Sequence, residues 1–282
     1  MTETILLGGD LRVRRLGFGT MRLPGPGVWG PPTDRAEAVR VLRTAVDLGV
    51  NFLDTADSYG PAVAEELIRE ALHPYPDDLV IATKAGLLRP EPIVSPGPWP
   101  RCGRPEYLRQ QAELSLRRLG VERLDLFQLH RVDETVPFDD QIGALAQLRD
   151  EGKVRHVGLS GVDLRQLRAA ERIVPVASVQ NRFNLLDRSG TDVLKHAERH
   201  QLAFLPFAPL AQGGWGPAAA TLEQIAHDRA ATVSQVALAW LLHRSAAILP
   251  IPGTSKVQHL RENFDATQVS LPAEVIAQLE TL

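Results

Sequence analysis

Short apolar stretches alternate with helix-length amphipathic ones along almost the whole chain, and this alternation restricts the fold more than any other feature. Leu16-Gly17-Phe18-Gly19 reads as a first buried strand. From Arg35 to Leu48 the apolar residues Ala38, Val39, Val41, Leu42, Ala45, Val46 and Leu48 keep helical spacing, with Asp34 placed to cap them. Strand Asn51–Asp54 precedes helix Val63–Leu72. Strand Leu79–Thr83 precedes helix Pro105–Leu119, which has proline in its first turn. Three more pairs follow: Leu124–Leu129 with Phe138–Glu151, His156–Ser160 with Leu164–Arg172, and Val176–Gln180 with Thr191–His200. Strand Ala203–Pro206 leads into a helical region in two pieces, Thr221–Asp228 and Val233–His243, where Thr232 and Gln235 fit a capping box. Ile248-Leu249-Pro250 is the last strand, Val257–Ala266 its helix, and Pro272 opens a final helix.

Parallel strands joined by helices need right-handed crossovers, and eight such units in series close into a (β/α)8 TIM barrel, an α/β fold. The 282 residues suit a single barrel domain over 1–282, since such barrels run to roughly 250 residues. Before the first unit, Ile5-Leu6-Leu7 and Leu11-Arg12-Val13 flank Gly8-Gly9-Asp10, which predicts an N-terminal β-hairpin. The competing architecture is an open doubly wound sheet. That fold normally carries G-x-G-x-x-G after its first strand, and the motif is absent here. The Pro/Gly-rich stretches Leu23–Pro32 and Arg89–Arg104 then become long loops after the first and third strands.

A formal net charge of -3 gives no reason to expect a nucleic-acid or anionic-membrane partner. The single cysteine, Cys102, excludes an intrachain disulfide and a thiol-rich metal site, and no metal is expected. The apolar run Val236–Leu242 is too short to span a bilayer. The start lacks a basic segment followed by an apolar one, so a cytoplasmic location is expected. The oligomeric state is left open.

In a barrel of this kind the loops that follow the strands open on one face, which holds the active site. Asp54, Lys84 and His130 end the second, third and fourth strands, Ser160 and Gln180 the fifth and sixth, and Tyr59 lies in the loop after the second. Reducing a carbonyl requires a hydride and then a proton for the developing alkoxide. A free tyrosine, with a pKa near ~10, is a poor donor to recover at neutral pH. A neighbouring ammonium favours the phenolate, so Lys84 is expected to lower the Tyr59 pKa. Asp54 would hold Lys84 charged, and His130 would donate a hydrogen bond to the carbonyl oxygen. Tyr59 is then the general acid in reduction and the base in reverse.

Several other residues have plainer readings. Asp57 is expected to be a loop or capping residue. His196 and His200 read as a solvated helix end, because zinc-protease spacing needs Glu directly after the first His. Gly213, Gly214 and Gly216 either approach cofactor phosphates or simply form a flexible loop. Trp29 and Trp99 either wall a substrate pocket or pack within their loops. Arg131 either binds an anionic substrate group or makes a surface ion pair. Cys102 reads as an unreactive loop thiol.

Asp54-Thr55-Ala56-Asp57-Ser58-Tyr59-Gly60, Ile81-Ala82-Thr83-Lys84, Leu129-His130 and Gly158-Leu159-Ser160 resemble the aldo-keto reductase family. So do Val179-Gln180-Asn181, Pro206-Phe207-Ala208-Pro209-Leu210 and Ile251-Pro252-Gly253-Thr254-Ser255-Lys256. The resemblance covers nearly the whole chain in order. It implies a (β/α)8 barrel that binds NADP(H) in extended form and reduces a small carbonyl substrate.

Carried over by position, Asp54, Tyr59, Lys84 and His130 match the catalytic tetrad. Ser160 and Gln180 match the groups that hold the nicotinamide carboxamide, and Phe207 the aromatic that stacks on the ring. Gly19, Thr20 and Met21 match the segment beside the cofactor after the first strand, and Leu210 and Gln212 the loop over the pyrophosphate. Gly253, Thr254, Ser255 and Lys256 match the loop for the adenosine 2'-phosphate, and Glu262 and Asn263 the adenine contacts.

Two positions depart from the family pattern. Gly161 stands where Asn is frequent, and His259 where an arginine commonly packs on adenine and pairs the 2'-phosphate. The second change weakens a strict preference for NADPH, which Lys256 partly restores as a point charge. The long first loop, Pro24 to Pro32, resembles a bacterial branch that includes pyridoxal reductases, which makes pyridoxal a candidate substrate. The chain stops soon after its last helix, so an open, permissive pocket is expected. Two alternatives remain at this level: a Schiff-base lyase using Lys84, and a non-catalytic NADPH-sensing binding protein.

Overall fold

The computed structural model describes residues 3–92 and 99–282. A two-stranded antiparallel hairpin, β1 (Thr4–Leu7) and β2 (Leu11–Arg14), comes first, with Thr4 opposite Arg14. The parallel strands are β3 (Phe18–Gly19), β4 (Phe52–Asp54), β5 (Val80–Ala85), β6 (Leu124–Leu129), β7 (Val154–Ser160), β8 (Val176–Arg182) and β9 (Ala203–Phe207). They lie side by side in chain order, β3 to β9. Helices α1 (Arg35–Asp47), α2 (Val63–Leu72), α3 (Pro105–Leu119), α4 (Phe138–Asp150), α5 (Leu164–Glu171) and α6 (Thr191–His200) connect them. After β9 come α7 (Ala219–Asp228), α8 (Val233–Arg244), α9 (Val257–Asp265) and α10 (Ala273–Glu280).

The expected eighth strand is present only as an extended segment that bridges β9 at Phe204 and Ile248. Pro250 and Pro252 have no backbone N–H, so a regular ladder cannot form there. Their carbonyls still accept the N–H groups of Gly17 (2.9 Å) and Gly19 (3.2 Å), while Leu249 donates to the Phe204 carbonyl (2.9 Å). These bonds close the barrel and rule out the open sheet. Close approach at this seam needs glycine: a Cβ on Gly19 would sit 2.6 Å from the Ile251 carbonyl oxygen, and one on Gly253 2.5 Å from that of Gly19.

Local signals explain the helix starts. The Asp34 carboxylate accepts the Glu37 N–H at the start of α1, and Thr232 with Gln235 forms a reciprocal capping box at α8. Pro105 occupies the first turn of α3, where its missing N–H costs nothing. Apolar helix faces pack on the outside of the sheet in one large core that includes Leu42, Leu67, Leu116, Leu145 and Trp240. A second core fills the barrel from within: Phe52, Val80, Ala82, Leu126, Ala203, Leu205 and Leu249, plugged by Leu7 and Val13 of the hairpin. The hairpin therefore shuts the end of the barrel opposite the strand C-termini.

Candidate active site

Strand alternation carries polar groups into the other end. Two residues beyond inward Phe52 comes Asp54; two beyond Ala82 comes Lys84; two beyond Leu126 comes Gln128. All three polar side chains are buried, Lys84 completely. The Lys84 Nζ donates to Asp54 Oδ2 (2.7 Å), the Thr55 carbonyl (2.9 Å) and Tyr59 Oη (3.3 Å), which uses all three ammonium hydrogens. Asp54 Oδ1 accepts from Gln180 Nε2 (2.8 Å) and Gln128 Nε2 (3.3 Å). The buried ion pair is thus fully hydrogen-bonded, the condition under which such a pair is tolerated.

The loop after β4 keeps bonding to β5, with Thr55 N–H to the Ala82 carbonyl (2.8 Å) and Asp57 N–H to the Lys84 carbonyl (3.1 Å). That register sets Tyr59 above Lys84. His130, one residue past β6, donates its backbone N–H to the Ala85 carbonyl (2.8 Å). Its ring meets the Tyr59 ring edge-on at 5.9 Å between centroids, and its Nδ1 lies 3.4 Å from Ser58 Oγ.

Burial decides the protonation states. It pushes the Tyr59 pKa above the ordinary tyrosine value; Lys84 offsets this only in part, and the Asp54 charge adds to the rise. The expected lowering of the Tyr59 pKa is therefore corrected: desolvation outweighs the ammonium, and the phenol stays protonated at neutral pH. Burial by itself would depress Lys84, but the Asp54 carboxylate and the Tyr59 oxygen outweigh it and hold the ammonium charged. His130 falls well below the ordinary histidine value through burial, then through Lys84 and Arg131, so its ring is neutral.

Tyr59 and His130 face a cavity of about 590 Å³ at the mouth. Its walls bring together residues from distant parts of the sequence, among them Gly19, Met21, Gln180, Phe207, Leu210 and Gly253. Thr20 lies buried beneath it, with Oγ1 donating to the Asp54 carbonyl (3.1 Å). Ser160 is also buried, and its Oγ accepts from Arg131 Nη1 (2.6 Å). Gly213 reaches the cavity wall, whereas Gly214 and Gly216 do not line it. Gln212 is in the same loop, Ala211–Gly213.

The far group lies at the start of α9, outside the cavity proper. Ser255, Lys256 and His259 are exposed, Thr254 and Asn263 buried, and Glu262 half-buried. Thr254 Oγ1 accepts the Lys256 N–H (3.1 Å) at the head of the helix.

Four expectations change. Trp99 lines the cavity and meets Tyr59 edge-on at 6.4 Å, but Trp29 does not line it. Trp29 packs in its loop, with the Arg89 guanidinium 5.5 Å from its ring centre. Arg131 makes no surface ion pair among the described residues; it turns into the mouth. Asp57 does not cap a helix. It is buried, Oδ2 accepts from Tyr107 Oη (3.2 Å), Oδ1 has no partner, and burial with the Glu65 charge pushes its pKa up to about 8. His196 is buried rather than solvated, bonded at 2.9 Å to Glu171 and stacked on His200.

Other residues carry little signal in the sequence. Gln128 sits in a strand that reads as apolar, and only its inward parity marks it. Arg89 bridges two loops, donating to the carbonyls of Val28 (2.9 Å) and Gly27 (2.8 Å) while its guanidinium covers Trp99 at 4.0 Å. Its sequence signal is an arginine at the head of a proline-rich stretch that ends near Trp99. Arg22, Arg101 and Arg182 also line the cavity.

A barrel closed at one end, with a buried acid–lysine–tyrosine cluster and a histidine at the other, defines the class of site. The sequence model of the aldo/keto reductase family matches residues 15–282, and the chain belongs to that family. It is 47% identical over 272 residues to an uncharacterised oxidoreductase of Schizosaccharomyces pombe, covering 96% of this chain and 87% of that one. It is 43% identical over 287 residues to pyridoxine 4-dehydrogenase of Escherichia coli, covering 99% and 98%. A crystal structure of an aldo-keto reductase from Klebsiella pneumoniae in complex with NADPH superposes with a TM-score of 0.84 at 28% identity, covering 100% of this chain and 95% of that one.

Proposed function

We propose that the chain reduces an aldehyde or ketone to an alcohol with NADP(H), and that Tyr59 donates the proton. The observation that carries this reading is the Lys84 ammonium held in bonding contact with both Asp54 and Tyr59 at the floor of the cavity. The residues present fit the cofactor. A buried hydroxyl and amide, Ser160 and Gln180, suit the carboxamide; the Phe207 ring offers a face for nicotinamide; the Leu210–Gln212 loop and Gly19–Met21 flank the same trough. At the far end Gly253, Thr254, Ser255 and Lys256 would receive the 2'-phosphate, aided by the N-terminus of α9, with His259, Glu262 and Asn263 at the adenine. When bound, the cofactor supplies a hydride to the carbonyl carbon.

The protein's own residues supply the rest. Neutral His130 donates a ring N–H to the carbonyl oxygen, and Ser58 beside Nδ1 favours the tautomer with the hydrogen on Nε2. Tyr59 Oη gives its proton to the developing alkoxide, and Lys84 stabilises the phenolate left behind. Asp54 keeps Lys84 charged and oriented. A Tyr59 pKa above the ordinary value keeps the phenol protonated, the form that can donate, near neutral pH.

Similarity to a pyridoxine 4-dehydrogenase supports pyridoxal, the aldehyde counterpart of that named alcohol, as a candidate substrate. The test is NADPH oxidation across a panel of aldehydes including pyridoxal, with the alcohol product identified. Borohydride trapping of substrate on Lys84 without NADPH oxidation would replace this reading with Schiff-base chemistry. NADPH binding without turnover on any aldehyde would replace it with a sensing role.

A further inference from the structure

Four arginines line the cavity: Arg22, Arg101, Arg131 and Arg182. Arg101 pairs with Glu134 (3.0 Å) and Arg182 with Asp187 (3.9 Å), while Arg22 is exposed to water. Arg131 is half-buried and has no carboxylate partner among the described residues. Its Nη1 donates only to neutral acceptors, the His130 carbonyl (2.7 Å) and Ser160 Oγ (2.6 Å). Its guanidinium lies 4.9 Å from the centre of the Phe207 ring, and Arg182 approaches the same ring at 5.6 Å. The acid on the cavity wall, Asp54, is already committed to Lys84. Burial, with Arg101 and Arg182 nearby, depresses the Arg131 pKa, against the pull of Tyr59. A cation kept half out of water beside other cations is unfavourable unless an anion joins it.

The backbone makes room for this arrangement. Gly161 has a φ of +68°, and a Cβ there would fall 2.9 Å from Arg131 Cδ and 3.0 Å from Nε and Nη1. The volume that a side chain at position 161 would take is therefore filled by the Arg131 guanidinium. The cofactor's own phosphates do not account for it. They are assigned to the Leu210–Gln212 loop and the start of α9, whereas Arg131 adjoins His130 and Ser160 at the reacting end.

We propose that Arg131, seated in the space left by Gly161, is the receptor for an anionic oxygen group on the carbonyl substrate, so that the enzyme selects aldehydes or ketones carrying a carboxylate or phosphate over neutral ones. The proposal rests on the reductase reading and names its substrate class. A planar guanidinium presents paired donors to either anion. Tyr59 and neutral His130 serve the reacting oxygen and Lys84 stays bonded to Asp54 and Tyr59, so recognition and chemistry use different groups.

Two matched pairs test it: 4-carboxybenzaldehyde against its methyl ester, and pyridoxal 5'-phosphate against pyridoxal. For the wild-type enzyme with saturating NADPH, kcat/KM should be at least about tenfold higher for the anionic member of one pair, and which pair shows it distinguishes carboxylate from phosphate. In Arg131→Gln the anionic-to-neutral ratio should fall to near one, with Arg131→Lys intermediate. Gly161→Asn, a residue that tolerates positive φ, should lower the same ratio by displacing Arg131. No anionic preference in the wild type, a ratio unchanged in Arg131→Gln or in Gly161→Asn, or a weaker NADPH Kd in Arg131→Gln with the ratio intact would each overturn the proposal. Turnover of neutral aldehydes without anionic preference sinks this inference alone. Failure to consume NADPH with every aldehyde tested sinks the reductase reading and this inference with it.

Discussion

The two ends of the barrel are built on the same strands and solved in opposite ways. At the hairpin end the inward side chains are Phe52, Val80, Leu126 and Leu205, closed off by Leu7 and Val13, and none of these six is more than 3% exposed. One pleat further along the same strands, the inward positions hold Asp54, Lys84 and Gln128, equally buried and joined by an ion pair and hydrogen bonds. A groove of about 1010 Å³ runs beside the hairpin, yet among the described residues no buried ion pair faces it. Apolar packing would serve stability at both ends, since a buried ion pair is seldom worth more than well-packed hydrophobic side chains. The charged end is therefore retained for chemistry, and the hairpin end for stability.

Replacing Lys84 by Met should separate the two most sharply. It removes the cation that supports Tyr59, so turnover should drop by about 10³-fold or more. It also strands the Asp54 carboxylate, at a cost of about 3–5 kcal/mol in denaturant unfolding. Adding Asp54→Asn should recover part of the stability and none of the activity; recovery of activity would break the contrast. At the other end, Leu7→Ala should cost about 2–4 kcal/mol with kcat unchanged at temperatures where the variant is folded. Lost kcat in folded Leu7→Ala would show that the ends are not independent.

Smaller effects sharpen the picture at the rim of the mouth. Lys256→Ala should weaken NADPH by about tenfold and NADH far less, measured by fluorescence titration; equal weakening would remove its assignment to the 2'-phosphate. Asp57 supplies a pH signature. Its pKa is raised to about 8 in the folded chain, so the folded state binds the proton more tightly than the unfolded one. Stability should then fall as pH rises from about 4 to about 8 and level off above that. Asp57→Asn should make the decline shallower in thermal melts across this range, and an unchanged slope would contradict the assignment.

The alternation of strands and helices was legible because both periods are local properties of the sequence. Asp54, Lys84 and His130 were legible because each is a polar residue at the end of an apolar strand. Gln128 was hidden one pleat earlier, where polarity in an apolar run has no obvious meaning until parity is fixed. Arg89 acts through the carbonyls of Gly27 and Val28, and Arg131 through the Ser160 hydroxyl and the Phe207 ring face, partners from other loops and strands that sequence proximity does not reveal. The direction of the Tyr59 shift depends on burial exceeding the attraction of Lys84, a property of the folded site. The closing segment shows the opposite case: Pro250 and Pro252 forbid a ladder in plain sight, but the carbonyls that close the barrel through them are a matter of three-dimensional register.

Tyr59→Phe gives the most direct test, since it removes one oxygen and leaves the ring between His130 and Trp99 in place. Steady-state NADPH oxidation with the best aldehyde of the panel should fall by about 10²–10⁴-fold in kcat, while NADPH Kd and the melting temperature stay close to wild type. Turnover that survives unchanged in folded, NADPH-binding Tyr59→Phe would contradict the assignment of Tyr59 as proton donor and, with it, the reading of the buried cluster as a reductase site.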